Sequence, residues 1–176
     1  CFAFCYDRLN PFDHLKQINL IIHFMIPIKL ILHLQRPTPE LISMLSDPQS
    51  RLFYTDLCKF ISTGDLLNYN QLMEVNSKSM LKFGTFAIYE RMIIFLLRQR
   101  ILHIHRLNDN CTRIPLSCIL TSDVSLLAES TACLVANTIA KGLIRGYISE
   151  EKQYLVLSAQ NPFPKSLPSA ILCDRQ

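Results

Sequence analysis

Apolar residues recur at three- and four-residue steps through roughly the first 107 residues, and this spacing limits the possible folds more than any other feature. Leu15, Ile18, Ile22 and Met25 illustrate it. Side chains spaced in this way lie on one face of an α-helix. The breaks "SDPQS" and "STGD" divide the run into separate segments. The pattern therefore predicts a series of antiparallel helix pairs.

Helix boundaries in this region follow from local signals. Thr38 is placed as the N-cap of a helix, with Pro39 at its first position and Glu40 near its positive end. Pro27 lacks an N–H group and predicts a kink or a restart in the first long helix. A nearly unbroken helical pattern from Ser77 to Leu107 predicts one long helical stretch, with Gly84 as a close contact or a bend.

The pattern changes after Leu107. "RIPLSCIL" predicts a short extended piece that enters a short helix, and a further helix is expected from about residue 125 or 129 to Lys141, ended by Gly142. "LIRGYIS" and "YLVLS" predict a hairpin around "EEKQ". Helix, strand, helix, helix, strand, strand is the order of a winged helix. We therefore predict a mainly α chain with a helical-hairpin repeat at 1–107, a winged helix at 108–158 and an irregular tail at 159–176.

Composition narrows the class of protein. With 49% apolar residues, disorder is not expected, and 4 Gly and 9 Pro cannot form a collagen repeat. The most apolar stretch, Leu20–Leu34, is shorter than a membrane span and contains charged and proline residues, so it predicts a buried helix and no membrane insertion. Seven cysteines, an odd number mostly inside apolar runs, favour reduced thiols in the cytosol or nucleus. The start at Cys1 indicates the C-terminal piece of a longer protein.

Four segments resemble a known family, the PCI-domain proteins. "CLVANTIAKGLIRGYIS" at Cys133–Ser149 and "YLVLSAQNPFP" at Tyr154–Pro164 closely resemble the C-terminus of one branch, the PCI subunit of the TREX-two mRNA export complex at the nuclear pore. Leu20–Leu32 and Phe83–Ile94 are similar to the same branch, in the same order. "GYIS" occurs in many PCI proteins, whereas "QNPFP" after the last strand is more particular to this branch and its signalosome-associated relatives.

The resemblance implies a non-enzymatic scaffold subunit of the nuclear-pore-associated export machinery. Such a subunit pairs with a GANP-type PCI scaffold protein through the winged helix, binds a small acidic DSS/Sem-type peptide, and contributes to a basic surface for RNA or DNA. Its expected location is nuclear and associated with the nuclear pore, with the cytoplasm left open. The alternative is a PCI scaffold subunit of a signalosome- or proteasome-lid-type complex without nucleic-acid binding. An enzyme of unrecognised type is a third alternative.

Lys141, Arg145 and Lys152 are the candidates for nucleic-acid binding. They flank the end of the third predicted helix of the winged module and the hairpin connector, where cationic groups commonly meet phosphates. The alternative is that Lys141 is favoured there by the helix dipole and that Glu150 and Glu151 cancel the charge of Lys152, which would leave a solvated or partner-facing surface.

Arg91, Arg98 and Arg100 are the candidates for binding the acidic peptide or a partner. Arg91 and Arg98 are seven residues apart and so fall on one helical face, where a basic stripe could receive acidic side chains. The alternative is a solvated helix flank.

No metal, cofactor or catalytic site is predicted. His103 and His105 are two residues apart and Cys111 and Cys118 are seven apart, which are not zinc-ligand spacings. No nucleophile, phosphate-binding or dinucleotide motif is present. Phe163, between two prolines, is expected either to anchor in a partner's groove or, as the favoured interpretation, to fold back onto the winged helix.

Overall fold

The computed structural model describes residues 8–10, 13–33, 36–119 and 131–164. Its first part is a series of helices, as the spacing of apolar residues predicts. These helices are α1 (Leu15–His33), α2 (Pro39–Ser43), α3 (Pro48–Thr63), α4 (Leu66–Phe83) and α5 (Phe86–Leu107). The prediction of a mainly α chain is confirmed.

Local capping signals set the start of α2, as predicted. Thr38 is its N-cap and accepts a hydrogen bond from the backbone N–H of Leu41 at 3.4 Å, with Pro39 as the first helical residue. A polar side chain before the first turn satisfies a backbone donor that has no partner within the helix. The carboxylate of Asp47 caps α3 in the same way, since it accepts from the backbone N–H of Ser50 at 2.9 Å.

The predicted restart at Pro27 does not occur, because α1 continues through that residue. A proline inside a helix costs about 3 kcal/mol. Ile22, Met25 and Ile26 before it and Leu30 after it are all buried. Burying each such side chain contributes roughly 1.5–3 kcal/mol. Core packing on both sides of the proline therefore outweighs the local preference for a break.

The prediction of nearly unbroken helix from Ser77 to Leu107 is wrong in one place, because α4 ends at Phe83 and α5 begins at Phe86. Gly84 between them has a φ of +68°, a conformation that breaks the helix and favours glycine. A Cβ built at Gly84 would meet no atom within 4 Å. The glycine is therefore explained by its backbone conformation and not by a close contact.

The last part of the chain has the predicted winged-helix order after α5: β1 (Arg113–Pro115), α6 (Leu116–Ile119), α7 (Thr131–Ala140), β2 (Gly146–Ser149) and β3 (Tyr154–Leu157). The strands form one antiparallel sheet in the order β1-β3-β2. Gly142 ends α7 with a φ of +69°, as predicted, while the expected start of that helix lies in 120–130, outside the described residues. We call residues 113–119 and 131–157 the winged module.

The chain divides into two compact units. The first contains Cys1–Lys59 and Leu72–Glu90, and the second contains Phe60–Gln71 and Arg91–Gln176. Ile18, Ile22, Tyr54 and Leu57 are in the core of the first unit, and Leu96, Ile101, Ile114, Val135 and Leu155 are in the core of the second. The boundaries predicted at 107 and 158 stay a prediction. In the ranges described above, every helix falls short of the length or apolar character that a membrane crossing requires.

Candidate interface on the winged module

The sheet of the winged module has a buried face and an open face. Ile114, Leu155 and Leu157 alternate with exposed or half-buried neighbours and are at most 3% exposed. They form the inner face, because side chains alternate along a strand. Helix α7 contacts β2 and buries Leu134 and Val135. The inner face is therefore part of the hydrophobic core.

The opposite face, which we call the outer face, is defined by the strand register. Tyr147 on β2 is opposite Val156 on β3, and Val156 is in turn opposite Arg113 on β1, so these three side chains form one row across the sheet. Tyr154 lies two residues before Val156 and opposite Ser149. Tyr147 is 63% exposed and Tyr154 is 37% exposed.

The predicted phosphate-binding residues lie at two ends of the hairpin. Lys141 and Arg145 are at the two ends of the turn that joins α7 to β2, whereas Lys152 is in the turn between β2 and β3. Arg145 and Lys152 are exposed, and Lys141 is half-buried. Strand β2 separates Arg145 from the hairpin turn, which corresponds to roughly 13 Å at about 3.3 Å per residue. The structure therefore brings Lys141 and Arg145 together in one connection and leaves Lys152 beside Glu150 and Glu151.

Arg98 does not lie on the accessible basic stripe that the sequence predicted. Arg91 is exposed and Arg100 is half-buried, but Arg98 is only 6% exposed. Its Nε donates to the carbonyl of Leu143 at 3.2 Å, and a terminal nitrogen of its guanidinium donates to the carbonyl of Pro164 at 3.1 Å. Burial lowers the pKa of the Arg98 guanidinium, and Arg106 lowers it further. Arg98 is thus not available to the acidic peptide assigned to it, while Arg91 and Arg100 stay predictions.

The segment after β3 folds back, as favoured for Phe163. The guanidinium carbon of Arg98 lies 5.9 Å from the centre of the Phe163 ring, and the His105 ring lies 5.5 Å from it. The backbone N–H of Arg145 donates to the carbonyl of Pro162 at 2.8 Å. Sequence reasoning missed that Arg98 holds this segment. The available signal was an arginine inside the apolar run "IIFLLRQRIL", where an unpaired charge would be costly.

A second candidate site is a cleft of about 490 Å³ in the first unit, between α3 and α4. Leu52 and Val75 on its rim are 66% and 82% exposed. His23, Tyr54 and Tyr89 line it and form a hydrogen-bonded chain: His23 Nδ1 lies 2.9 Å from Tyr54 Oη, and Tyr89 Oη donates to Tyr54 Oη at 3.3 Å. No sequence motif pointed to this cleft, because its residues come from four helices.

Burial sets the protonation of this chain. It raises the pKa of Tyr54, with a further contribution from Tyr89, and raises that of Tyr89 to about 12. It lowers the pKa of His23, although Asp47 opposes this. The neutral forms of all three side chains are therefore favoured near neutral pH, which suits a structural network.

Cysteine and histidine side chains are dispersed in the described part of the chain. Cys58, Cys111, Cys118 and Cys133 form no disulfide within the part of the chain that the structure describes. Among the described residues, no group of three or more His, Cys, Asp or Glu side chains is arranged to hold a metal ion.

The class of protein that this fold defines has a series of helices followed by a winged helix, and the sheet of the winged helix has an open face. No family model matches the chain. It is 31% identical over 156 residues to PCI domain-containing protein 2 of Danio rerio, which covers 83% of this chain and 36% of that protein. It is also 26% identical over 170 residues to the CSN12 homolog of Schizosaccharomyces pombe (94% of this chain, 38% of that protein) and 25% identical over 170 residues to COP9 signalosome complex subunit 12 of Eremothecium gossypii (89% and 41%).

These relatives and the winged-helix fold support the PCI-domain family for this chain. The chain spans about 36–41% of the length of these curated relatives.

Proposed function

We propose that the chain is part of a non-enzymatic scaffold subunit of the TREX-two mRNA export complex at the nuclear pore. The observation that carries the proposal is the segment Tyr154–Pro164, in which the strand "YLVL" is followed two residues later by "QNPFP", as in the export branch of the family and its signalosome-associated relatives. Similarity to PCI domain-containing protein 2 of Danio rerio supports the family part of the proposal. The subunit acts in the nucleus.

The proposed mechanism is assembly. The winged module docks a GANP-type PCI scaffold protein, and a small acidic DSS/Sem-type peptide binds near Arg91 and Arg100. Lys141, Arg145 and Lys152 hold RNA or DNA by its phosphates. A protein that replaces counterions on a nucleic-acid backbone gains affinity that depends steeply on salt but little on sequence. No cofactor takes part.

A second candidate function is that of a scaffold subunit in a signalosome-type complex, without nucleic-acid binding. Two relatives are named as CSN12 homolog and COP9 signalosome complex subunit 12, which favours it. The two candidates share the fold and the docking role, and they differ in the partner and in the role of the basic residues.

Identification of the bound proteins separates the candidates. The full-length protein, tagged and purified from cells at physiological salt, is expected to carry a GANP-type scaffold protein in a stoichiometric amount. Recovery of signalosome or proteasome-lid subunits in its place would favour the second candidate and count against export.

Phosphate binding is tested on the same purified complex. The double variant Lys141→Glu, Arg145→Glu is expected to weaken RNA binding and to reduce the slope of log affinity against log salt by roughly 1–2, since each phosphate contact contributes about 0.7–0.9. The control is Lys78→Glu, Lys82→Glu on α4, which makes the same change in net charge at two exposed lysines that do not belong to the winged module. An equal loss in both variants would indicate an effect of overall charge and no site.

A further inference from the structure

The outer face of the sheet combines exposed aromatic rings with positive charge. Its members, read from the strand register, are Arg113, Pro115, Arg145, Tyr147, Ser149, Tyr154 and Val156. Arg145 belongs to it because the backbone N–H of Ser158 donates to the Arg145 carbonyl at 2.8 Å, which continues the β2–β3 ladder by one residue. Side chains two residues apart on a strand share a face, so Arg145 lies on the same face as Tyr147.

The charged side chains on this face are all positive. It carries two arginines and no carboxylate, and Arg113 and Arg145 are both exposed. Glu150 and Glu151 lie in the hairpin turn, beyond the end of β2. Arg145 is two residues from Tyr147 along β2, and Arg113 is two strands away in the same row, which corresponds to roughly 10 Å. Tyr147 therefore has one arginine two residues away along its own strand direction and another in its row across the sheet.

The two tyrosines have the spacing of a stacking platform. Tyr147 is opposite Val156, and Tyr154 precedes Val156 by two residues, so the tyrosines are diagonal neighbours on one face. Diagonal neighbours in an antiparallel pair are about 7–8 Å apart. Two rings at that distance can each stack one base of an extended single strand, and a sheet that presents aromatic side chains is a common platform for unpaired bases.

We propose that the outer face binds single-stranded nucleic acid, with bases stacked on Tyr147 and Tyr154 and phosphates held by Arg113 and Arg145. This deepens the nucleic-acid part of the proposed function and rests on it. A duplex is not the ligand, because its base faces are already stacked on one another and only its edges and backbone are accessible.

The composition of the face argues against a protein partner there. Its aliphatic members are Pro115 and Val156, both half-buried, so it lacks the apolar centre typical of a protein interface. Two exposed arginines share this face with the exposed rings, which fits a polyanion with π-faces.

The test uses the full chain in complex with its co-purified partner, and fluorescence anisotropy with two probes: a labelled oligouridine of about 12 nucleotides and an RNA duplex of the same length. The expected result is tighter binding of oligouridine. Tyr147→Ala and Tyr154→Ala are each expected to weaken its binding roughly 10-fold with little change in salt slope, because stacking is not ionic. Arg113→Ala is expected to lower the salt slope by about 0.7, the contribution of one phosphate on a single strand.

Conservative variants control for folding. The double variant Tyr147→Phe, Tyr154→Phe retains both rings, and its affinity is expected to stay within roughly 2-fold of the wild type, since stacking needs the ring and not the hydroxyl. Loss of binding in this folded variant would overturn the proposal. So would equal or tighter binding of the duplex, or loss of the protein partner from the alanine variants while oligouridine binding is unchanged.

The outcomes also separate this proposal from the proposed function. If Lys141→Glu, Arg145→Glu abolishes binding and the tyrosine variants bind as the wild type does, the stacking proposal is wrong and phosphate binding stands. If the wild-type complex binds neither probe, the nucleic-acid part of the proposed function fails and the stacking proposal fails with it.

Discussion

Arg98 shows how a single charged residue can organise a segment that is distant in sequence. Its guanidinium is buried, and the carbonyls of Leu143 and Pro164 take the place of water around it. A buried cation is tolerated when its donors are satisfied. The ring of Phe163 lies near the same guanidinium. The Arg98 side chain therefore contacts both the connection after α7 and the segment after β3. The residue that sequence spacing assigned to a ligand is thus part of the core.

Replacing Arg98 tests this role. Arg98→Ala is expected to lower the free energy of unfolding by about 2–3 kcal/mol, because two carbonyls lose a charged donor and a cavity remains. Urea denaturation followed by circular dichroism measures it. Arg106→Ala, at an exposed position on the same helix, is the control and should change stability by less than about 0.5 kcal/mol. Equal effects of the two substitutions would show that the buried contacts add nothing.

The protonation of His23 should make the stability of the folded protein depend on pH. Burial lowers its pKa in the folded state below the usual 6.5, so the folded protein holds this proton less tightly than the unfolded chain does. The stability that the neutral His23 side chain contributes to the folded state is therefore fully present above the pKa of the unfolded chain. It is lost as the pH falls from there toward the lower pKa of the folded state. Melting temperatures between about pH 8 and about pH 5 should fall more for the wild type than for His23→Gln, which cannot titrate. Parallel curves would contradict this.

At the scale of elements, local signals explain most of what the sequence predicted. Thr38 as a cap, Gly142 as a helix end and the hairpin around "EEKQ" depend on a few neighbouring residues, and all three are confirmed. The restart considered at Pro27 and the helix predicted through Gly84, neither of which occurs, have another cause. Whether a helix continues through a proline depends on core packing that a local pattern does not contain, and whether a glycine bends or breaks a helix depends on its φ.

The candidate interface was predictable only in part, for a related reason. Arg145 and Lys152 are exposed, as a charged turn residue suggests, but the outer face depends on strand register. The register pairs Tyr147 with Val156, and Val156 with Arg113, which is 43 positions earlier in the sequence. Spacing along the chain cannot show such a pairing, and the cleft around Tyr54 was missed because its residues come from separate helices.

Two glycines give a matched test of helix connections. Gly64 and Gly84 have φ values of +70° and +68°, but a Cβ at Gly64 would lie 2.6 Å from the Cα of Arg100, whereas one at Gly84 would meet nothing. Both alanine variants lose about 1–2 kcal/mol from the backbone conformation. Gly64→Ala should lose roughly 1–3 kcal/mol more, because α5 must move away. Chemical denaturation measures the difference, and equal losses would mean that the close approach is unimportant.

At the scale of the whole molecule, chain continuity links the two units. Helix α3 begins in the first unit and ends in the second, α4 returns to the first, and α5 passes into the second again. Helix formation is cooperative, and a helix that loses the packing of one half is left with a short segment that is marginal in water. A partner bound to the winged module would therefore also stabilise the helices of the first unit by mass action.

Amide hydrogen exchange tests this linkage directly. The slowest amides of the first unit, such as those of Leu57 and Tyr89, are expected to open with the same free energy as those of Ile101 and Leu155 in the second, and to respond in parallel to added urea. Three helices have residues in both units, so unfolding of one unit would leave shortened helices in the other. If the slowest amides of one unit open at a free energy lower by more than about 2 kcal/mol, the units unfold separately, and a ligand of the winged module would then protect only the second unit.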